Sequence, residues 1–168
     1  MSVLSMVRQH HGKQLSYNNL LDLDSARHIA REFTVPACVI VKHNNPCGVA
    51  IGRTAQEAYE RAFSTDPISA FGGIIVLNRA IDRELAEKLN EQFIEVLFAP
   101  AYDDEALEVL TQKKNLRILE DNERRRLNVA ERDIKRVMGG LLVQDRDLEF
   151  VDRTEMEIAT KRAPTDDE

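Results

Sequence analysis

The apolar positions switch between two periods along the chain. From Tyr17 to Phe33, Leu20, Leu21, Leu23, Ala26, Ile29, Ala30 and Phe33 recur at helical intervals, which predicts an amphipathic helix. Asn18 or Asn19 suits its start, since an amide oxygen there can accept a backbone N–H. Val35 to Val41 is an apolar run that reads as a buried strand. A second helix begins near Thr54, where Thr54-Ala55-Gln56-Glu57 has capping-box spacing. Ala55, Ala58, Tyr59 and Ala62 form its inner face, and Asp66-Pro67 stops it. Gly73 to Asn78 reads as a strand. Asp82 caps a helix to about Glu91, and Ile94 to Ala99 is a strand closed by Pro100. Asp103 or Asp104 caps a helix through Leu110, and Leu116 to Leu119 is a short strand. Alternation of this kind predicts an α/β fold with helices packed on a mixed sheet.

The two ends are patterned differently. Met1 to Lys13, with His10 and His11, reads as an exposed, loosely ordered terminus; no further ligand pattern supports a metal there. Asp121 to Arg132 is strongly charged. Its arginines, Arg124 to Arg126, are flanked by Asp121, Glu123 and Glu131, which predicts a solvated linker. Ile134 to Gln144, with Gly139-Gly140 in the middle, reads as a strand or bulged hairpin. Asp145 to Glu168 has little periodicity and reads as a linker.

The 168 residues suffice for one domain with its own core. A formal charge of -6 argues against general nucleic-acid binding but leaves room for a local cationic pocket. Cys38 and Cys47 are not at metal or redox spacing. Cys38 reads as core and Cys47 as a loop thiol, so a reducing, cytoplasmic setting is expected. No apolar run has the length of a membrane span.

The candidate chemistry gathers at Lys42-His43-Asn44-Asn45-Pro46-Cys47-Gly48, where the first strand breaks into polar residues. Adjacent residues on a regular strand face opposite ways, so Lys42 and His43 share a site only if the strand has ended or bulged. Pro46 pushes Asn45 out of helical geometry, and Gly48 allows a tight turn or close approach to a ligand. A surface lysine beside a structural histidine is the plainer reading. Ile68-Ser69-Ala70-Phe71-Gly72-Gly73 forms a second loop, in which Phe71 and the glycines can meet a flat ligand or merely turn into the next strand.

The first of these stretches resembles the KHNNPCG signature of the bifunctional AICAR transformylase/IMP cyclohydrolase family. Further stretches match in order: Gln14-Leu15-Ser16-Tyr17-Asn18-Asn19-Leu20-Leu21-Asp22, then Asp66-Pro67-Ile68-Ser69-Ala70-Phe71-Gly72-Gly73, then Phe98-Ala99-Pro100-Ala101-Tyr102. The resemblance implies a three-layer α/β/α, cytidine-deaminase-like domain over 14–150, between a disordered or linker segment at 1–13 and a linker at 151–168. It implies formyl transfer from 10-formyltetrahydrofolate, a co-substrate, to the 5-amino group of AICAR ribonucleotide, in de novo purine synthesis. His43 is then the base and Lys42 the oxyanion stabiliser; the lysine also favours a neutral imidazole. Asn19, Phe71, Gly72 and Glu95 would hold the substrate. Glu95 otherwise reads as an exposed edge position.

Zinc is not expected. Zinc deaminases need His-x-Glu and Cys-x-x-Cys stretches, whereas Asn44-Asn45 follow His43 and Cys47 has no partner three residues on. The resemblance further implies a homodimer, a cyclohydrolase domain before this chain and a second transformylase half after it, so that this chain alone lacks a complete site. A non-catalytic nucleotide-binding or subunit-association domain is the alternative.

Overall fold

The computed structural model describes residues 6–122, 132–147 and 153–165. Its elements run β1 (Val7–His11), α1 (Tyr17–Arg31), β2 (Ala37–Lys42), β3 (Asn45–Ile51), α2 (Ala55–Thr65), α3 (Pro67–Ala70), β4 (Ile74–Leu77), α4 (Arg83–Asn90), β5 (Val96–Ala99), α5 (Asp104–Leu110), β6 (Arg117–Asp121), β7 (Arg132–Val137) and β8 (Gly140–Asp145). The first six strands form one sheet in the order β1-β6-β5-β4-β2-β3. Strands β4, β5 and β6 are parallel, and the other pairings are antiparallel.

Side-chain alternation sends the apolar strand residues to two faces. Cys38, Ile40, Ile75, Leu77, Leu97, Ala99 and Ile118 pack with residues of α2, α4 and α5. Val39, Val41, Ile74, Val76, Val96, Phe98 and Leu119 pack with Leu23, Ala26 and Ala30 of α1. The result is the three-layer α/β/α arrangement with a mixed sheet. Strands covered on both sides have no polar face, which is why β2, β4 and β5 read as continuous apolar runs.

Several boundaries differ from the expectation. Residues 7–11 are a strand, not a loose terminus: β1 pairs antiparallel with β6 at the sheet edge. His10 Nε2 lies 2.6 Å from Glu120 Oε2, and its ring meets Tyr102 edge-on at 5.9 Å. These partners are far away in sequence, so local periodicity does not signal the strand. The apolar content of 7–11 is a single valine.

The chain also returns immediately after β2. Asn45–Ile51 is strand β3, not a loop, and occupies the other sheet edge. An edge tolerates Pro46, which has no N–H to give a neighbour. The register shifts between Ile40 and Val41, so that Ile40 faces Gly48 and Val41 faces Pro46; Cys47 falls within this bulge.

Finally, the expected single domain over 14–150 is divided. The compact units are Met1–Glu123 and Arg124–Glu168; among the described residues, β7 and β8 form a two-stranded sheet of their own. Within the second unit they form an antiparallel hairpin that turns through Gly139 at φ 81°. Arg124 to Arg126 lie outside the described residues. No described helix is long and apolar enough to cross a membrane.

Gly48 has a packing role. A Cβ there would clash with the Ala62 carbonyl oxygen, so the glycine permits a close approach between β3 and α2. We expect Gly48→Ala to destabilise the first unit by about 1–3 kcal/mol, measured by urea unfolding. Unchanged stability would mean that α2 does not pack this closely on β3.

Candidate active site

The site is built at one end of the sheet, where β2 ends and β4, β5 and β6 begin. Strand β2 pairs regularly with β4 up to Val41–Ile74 and then stops at Lys42. His43 (φ 55°) and Asn44 (φ 64°) are both left-handed, as a two-residue type I′ reversal requires. Glycine is absent from this turn. Left-handed non-glycine residues cost on the order of 1–3 kcal/mol each, so something must hold them.

Asp22 of α1 does so. The His43 amide donates to Asp22 Oδ2 at 3.1 Å, and the Asn44 amide donates to Asp22 Oδ1 at 2.7 Å. Asn45 Nδ2 closes the turn by donating to the His43 carbonyl at 3.0 Å. The condition for Lys42 and His43 to share a site is thereby met: the strand has ended between them. The His43 side chain is exposed. Lys42 Nζ donates to the Phe71 carbonyl at 2.8 Å, which ties the lysine to the second loop.

That loop is partly helical. Asp66 caps α3 by accepting the Ser69 amide at 3.0 Å, with Pro67 as its first residue. Hydrogen bonds from the Ser69 hydroxyl and amide hold the Asp66 carboxyl below the usual carboxylate range. Gly72 then takes φ 72° and donates to the Phe93 carbonyl at 2.8 Å. Phe71 and Phe93 pack with ring centroids 5.2 Å apart, and Phe71 remains 61% exposed. An exposed aromatic face beside a backbone turn can stack on a flat ligand.

Glu95 immediately precedes β5. Its amide donates to Gly73 O, and its carbonyl accepts from the Arg117 amide, both at 3.1 Å. Its carboxylate accepts from Asn19 Nδ2 at 3.0 Å and lies 3.9 Å from Arg117 Nη1. The helix cap is Ser16 rather than Asn18 or Asn19. Asn19 is the third helical residue, and its Oδ1 completes a capping box with the Ser16 amide at 3.1 Å. One buried side chain thus starts the helix with its oxygen and holds Glu95 with its nitrogen.

Direct contacts therefore join Asn19 to Glu95 and Lys42 to Phe71. Backbone pairing of Gly72 and Gly73 with Phe93 and Glu95 links these two groups. Sequence reasoning assigned no role to Asp22, Phe93 or Arg117. Asp22 did stand within the matched Gln14–Asp22 stretch, one helical turn after Asn19, and that i,i+3 spacing was its available signal. Burial pushes the Cys47 thiol up, consistent with packing in the bulge. Among the described residues no group of three or more His, Cys, Asp and Glu is placed to hold a metal ion.

The Asn19–Glu95 contact has a pH signature. Asn19→Asp keeps the capping oxygen, loses the amide donor and sets a second carboxylate against Glu95. Repulsion raises the carboxyl pKa values in the folded state, so the cost is full at neutral pH. It shrinks as pH falls and one carboxyl takes a proton. We expect urea unfolding to show a loss of about 1–3 kcal/mol at about pH 7 and a smaller loss at about pH 4. Equal losses would exclude repulsion as the cause.

Comparison with known proteins assigns the chain to a family. The family model described as the AICARFT/IMPCHase bienzyme matches residues 1–168. The bifunctional purine biosynthesis protein PurH of Bacillus cereus (strain B4264) is 50% identical over 167 residues, covering 99% of this chain and 32% of that protein. PurH of Bacillus thuringiensis (strain Al Hakam) matches with the same identity and coverage. The chain thus spans 32% of the length of these curated relatives. Among solved structures, Acinetobacter baumannii RibD (form 1) is similar with a TM-score of 0.48 and 16% identity, over 58% of this chain and 35% of that one. The apo dCMP deaminase of cyanophage S-TIM5 gives 0.43 and 9%, over 58% of this chain and 93% of that one. The family match extends over the whole chain, site included, and the chain belongs to the AICARFT/IMPCHase bienzyme family.

Proposed function

We propose that this chain carries the catalytic pair of a formyl transfer from 10-formyltetrahydrofolate to the 5-amino group of AICAR ribonucleotide. The observation that carries the reading is the end of β2. The strand stops after Lys42 and reverses on His43, at the sheet end that also holds Asn19, Phe71, Gly72 and Glu95.

The amine of the acceptor is delocalised into a ring bearing a carboxamide and is a weak nucleophile. It attacks the formyl carbon as His43 accepts its proton. An oxyanion forms on the formyl oxygen. The Lys42 ammonium stabilises it as a fixed cation; its bond to the Phe71 carbonyl uses one of three donors and leaves two. Collapse breaks the bond to the folate nitrogen, which leaves with the proton held by His43. The products are the formamido nucleotide and tetrahydrofolate. Phe71 offers a stacking face, and the Asn19–Glu95 pair offers polar contacts to the nucleotide. The wider context we infer is a purine-synthesis enzyme that is homodimeric and cytoplasmic and also carries an IMP cyclohydrolase activity; the relatives' description as a bifunctional purine biosynthesis protein supports the purine-synthesis part.

The test is His43→Ala in the full-length product of the gene that carries these residues. We expect formyl transfer to fall by roughly 10²- to 10⁴-fold, with AICAR ribonucleotide affinity retained by calorimetric titration. Turnover at the unsubstituted rate would favour the alternative, a nucleotide-binding or association domain without catalysis.

A further inference from the structure

We propose that Asp22 is the positioning residue for His43. Its carboxylate holds the reversal that carries the imidazole, and so sets where the base stands against the substrate amine. The inference rests on the reading of His43 as the base.

The backbone at this turn is in the left-handed region at two consecutive non-glycine positions, His43 and Asn44. Glycine at these positions would adopt the turn unaided. A histidine needed for its side chain removes that option at position 43, so the conformation must be over-determined from outside. Asp22 meets both amides, one with each carboxylate oxygen, at 3.1 and 2.7 Å. Bonds to an ionised acceptor are stronger than neutral ones, and a paired contact fixes orientation as well as distance.

Asp22 is itself held on a rigid element. It lies within α1, one turn after Asn19, whose amide holds Glu95 at 3.0 Å. The same helical turn therefore locates the base through Asp22 and a substrate-binding carboxylate through Asn19. Residues three apart share a helix face, so these functions move together.

Asp22 touches only backbone in these contacts, which separates its role from substrate binding. Asp22→Asn in the full-length gene product keeps one acceptor and loses the charge and the second bond. We expect kcat to fall roughly 10- to 100-fold, with KM for AICAR ribonucleotide unchanged. We also expect faster hydrogen exchange at the His43 and Asn44 amides. Adding Asn44→Gly to Asp22→Asn should restore part of kcat, because glycine relieves the turn. Asp22→Glu, which keeps the charge but moves the carboxylate, serves if Asp22→Asn does not fold, and should also lower kcat.

The outcomes separate the two readings. If His43→Ala abolishes transfer while Asp22→Asn and Asp22→Glu keep full kcat, the positioning inference alone is overturned. A raised KM with unchanged kcat, or no recovery with Asn44→Gly, also overturns it. If His43→Ala keeps the full rate, the reading of the site falls and the positioning role falls with it.

Discussion

A β-strand sends adjacent side chains to opposite faces, and the proposed pairing of Lys42 with His43 depends on breaking that rule between them. The break cannot be gradual. Strand β2 is buried along Ala37–Val41 and keeps an unbroken register with β4 up to Val41–Ile74, the extra residue of the bulge beside it being Cys47 of β3, so β2 itself runs regularly to Lys42. The reversal is completed within His43 and Asn44. It turns the chain back into β3 while Lys42 reaches the carbonyl of Phe71. A wider loop would have carried His43 away from the sheet end. A glycine turn would have been less strained but would have had no imidazole.

The first two turns of α1 support everything around that reversal. Ser16 and Asn19 start the helix by exchanging hydrogen bonds. Asn19 then reaches Glu95, and Asp22 reaches the turn. These contacts differ in weight. The Glu95 side chain is 42% exposed, so water competes for its carboxylate and the pairing with Arg117 at 3.9 Å adds little. The Asp22 contacts hold backbone in an unfavourable region, where the strain they offset is itself of kcal/mol size. Of the two, the Asp22 clamp controls the turn, and the Asn19 contact orients the Glu95 side chain.

The layers were legible in the sequence because buried strands and amphipathic helices leave strong local patterns. Val39, Ile40, Val41 and Ile74 to Leu77 announce strands without help from partners. The edge strands were not legible. Pro46 and Gly48 argue against a strand in isolation, and only an edge position and the approach of Ala62 explain both. Val7–His11 is held by Glu120 and Tyr102, which no local window contains. At the site, the sequence brought Lys42, His43, Asn19, Phe71, Gly72 and Glu95 forward through resemblance. Asp22 carried only the weak signal of its spacing from Asn19, because a carboxylate in a helix is ordinarily a solvated residue and its partners, the His43 and Asn44 amides, lie outside any local window.

The contacts also divide the family motifs by task. In Lys42 to Gly48, Asn45 closes the turn, Pro46 marks the edge, Cys47 fills the bulge and Gly48 admits α2. The hydroxyl of Tyr102 in Phe98–Tyr102 reaches the carbonyls of Leu97 and Leu119 at 3.1 and 2.8 Å, inside the core. Gly72 owes its identity to a φ of 72°. Most motif positions thus answer to backbone geometry and packing, and only a few side chains remain for chemistry. A chain could keep all these backbone duties with another residue at position 43 and have the same sheet end without a base. The motif match therefore speaks mainly for the fold, and the catalytic reading rests on the imidazole that the Asp22-held turn presents.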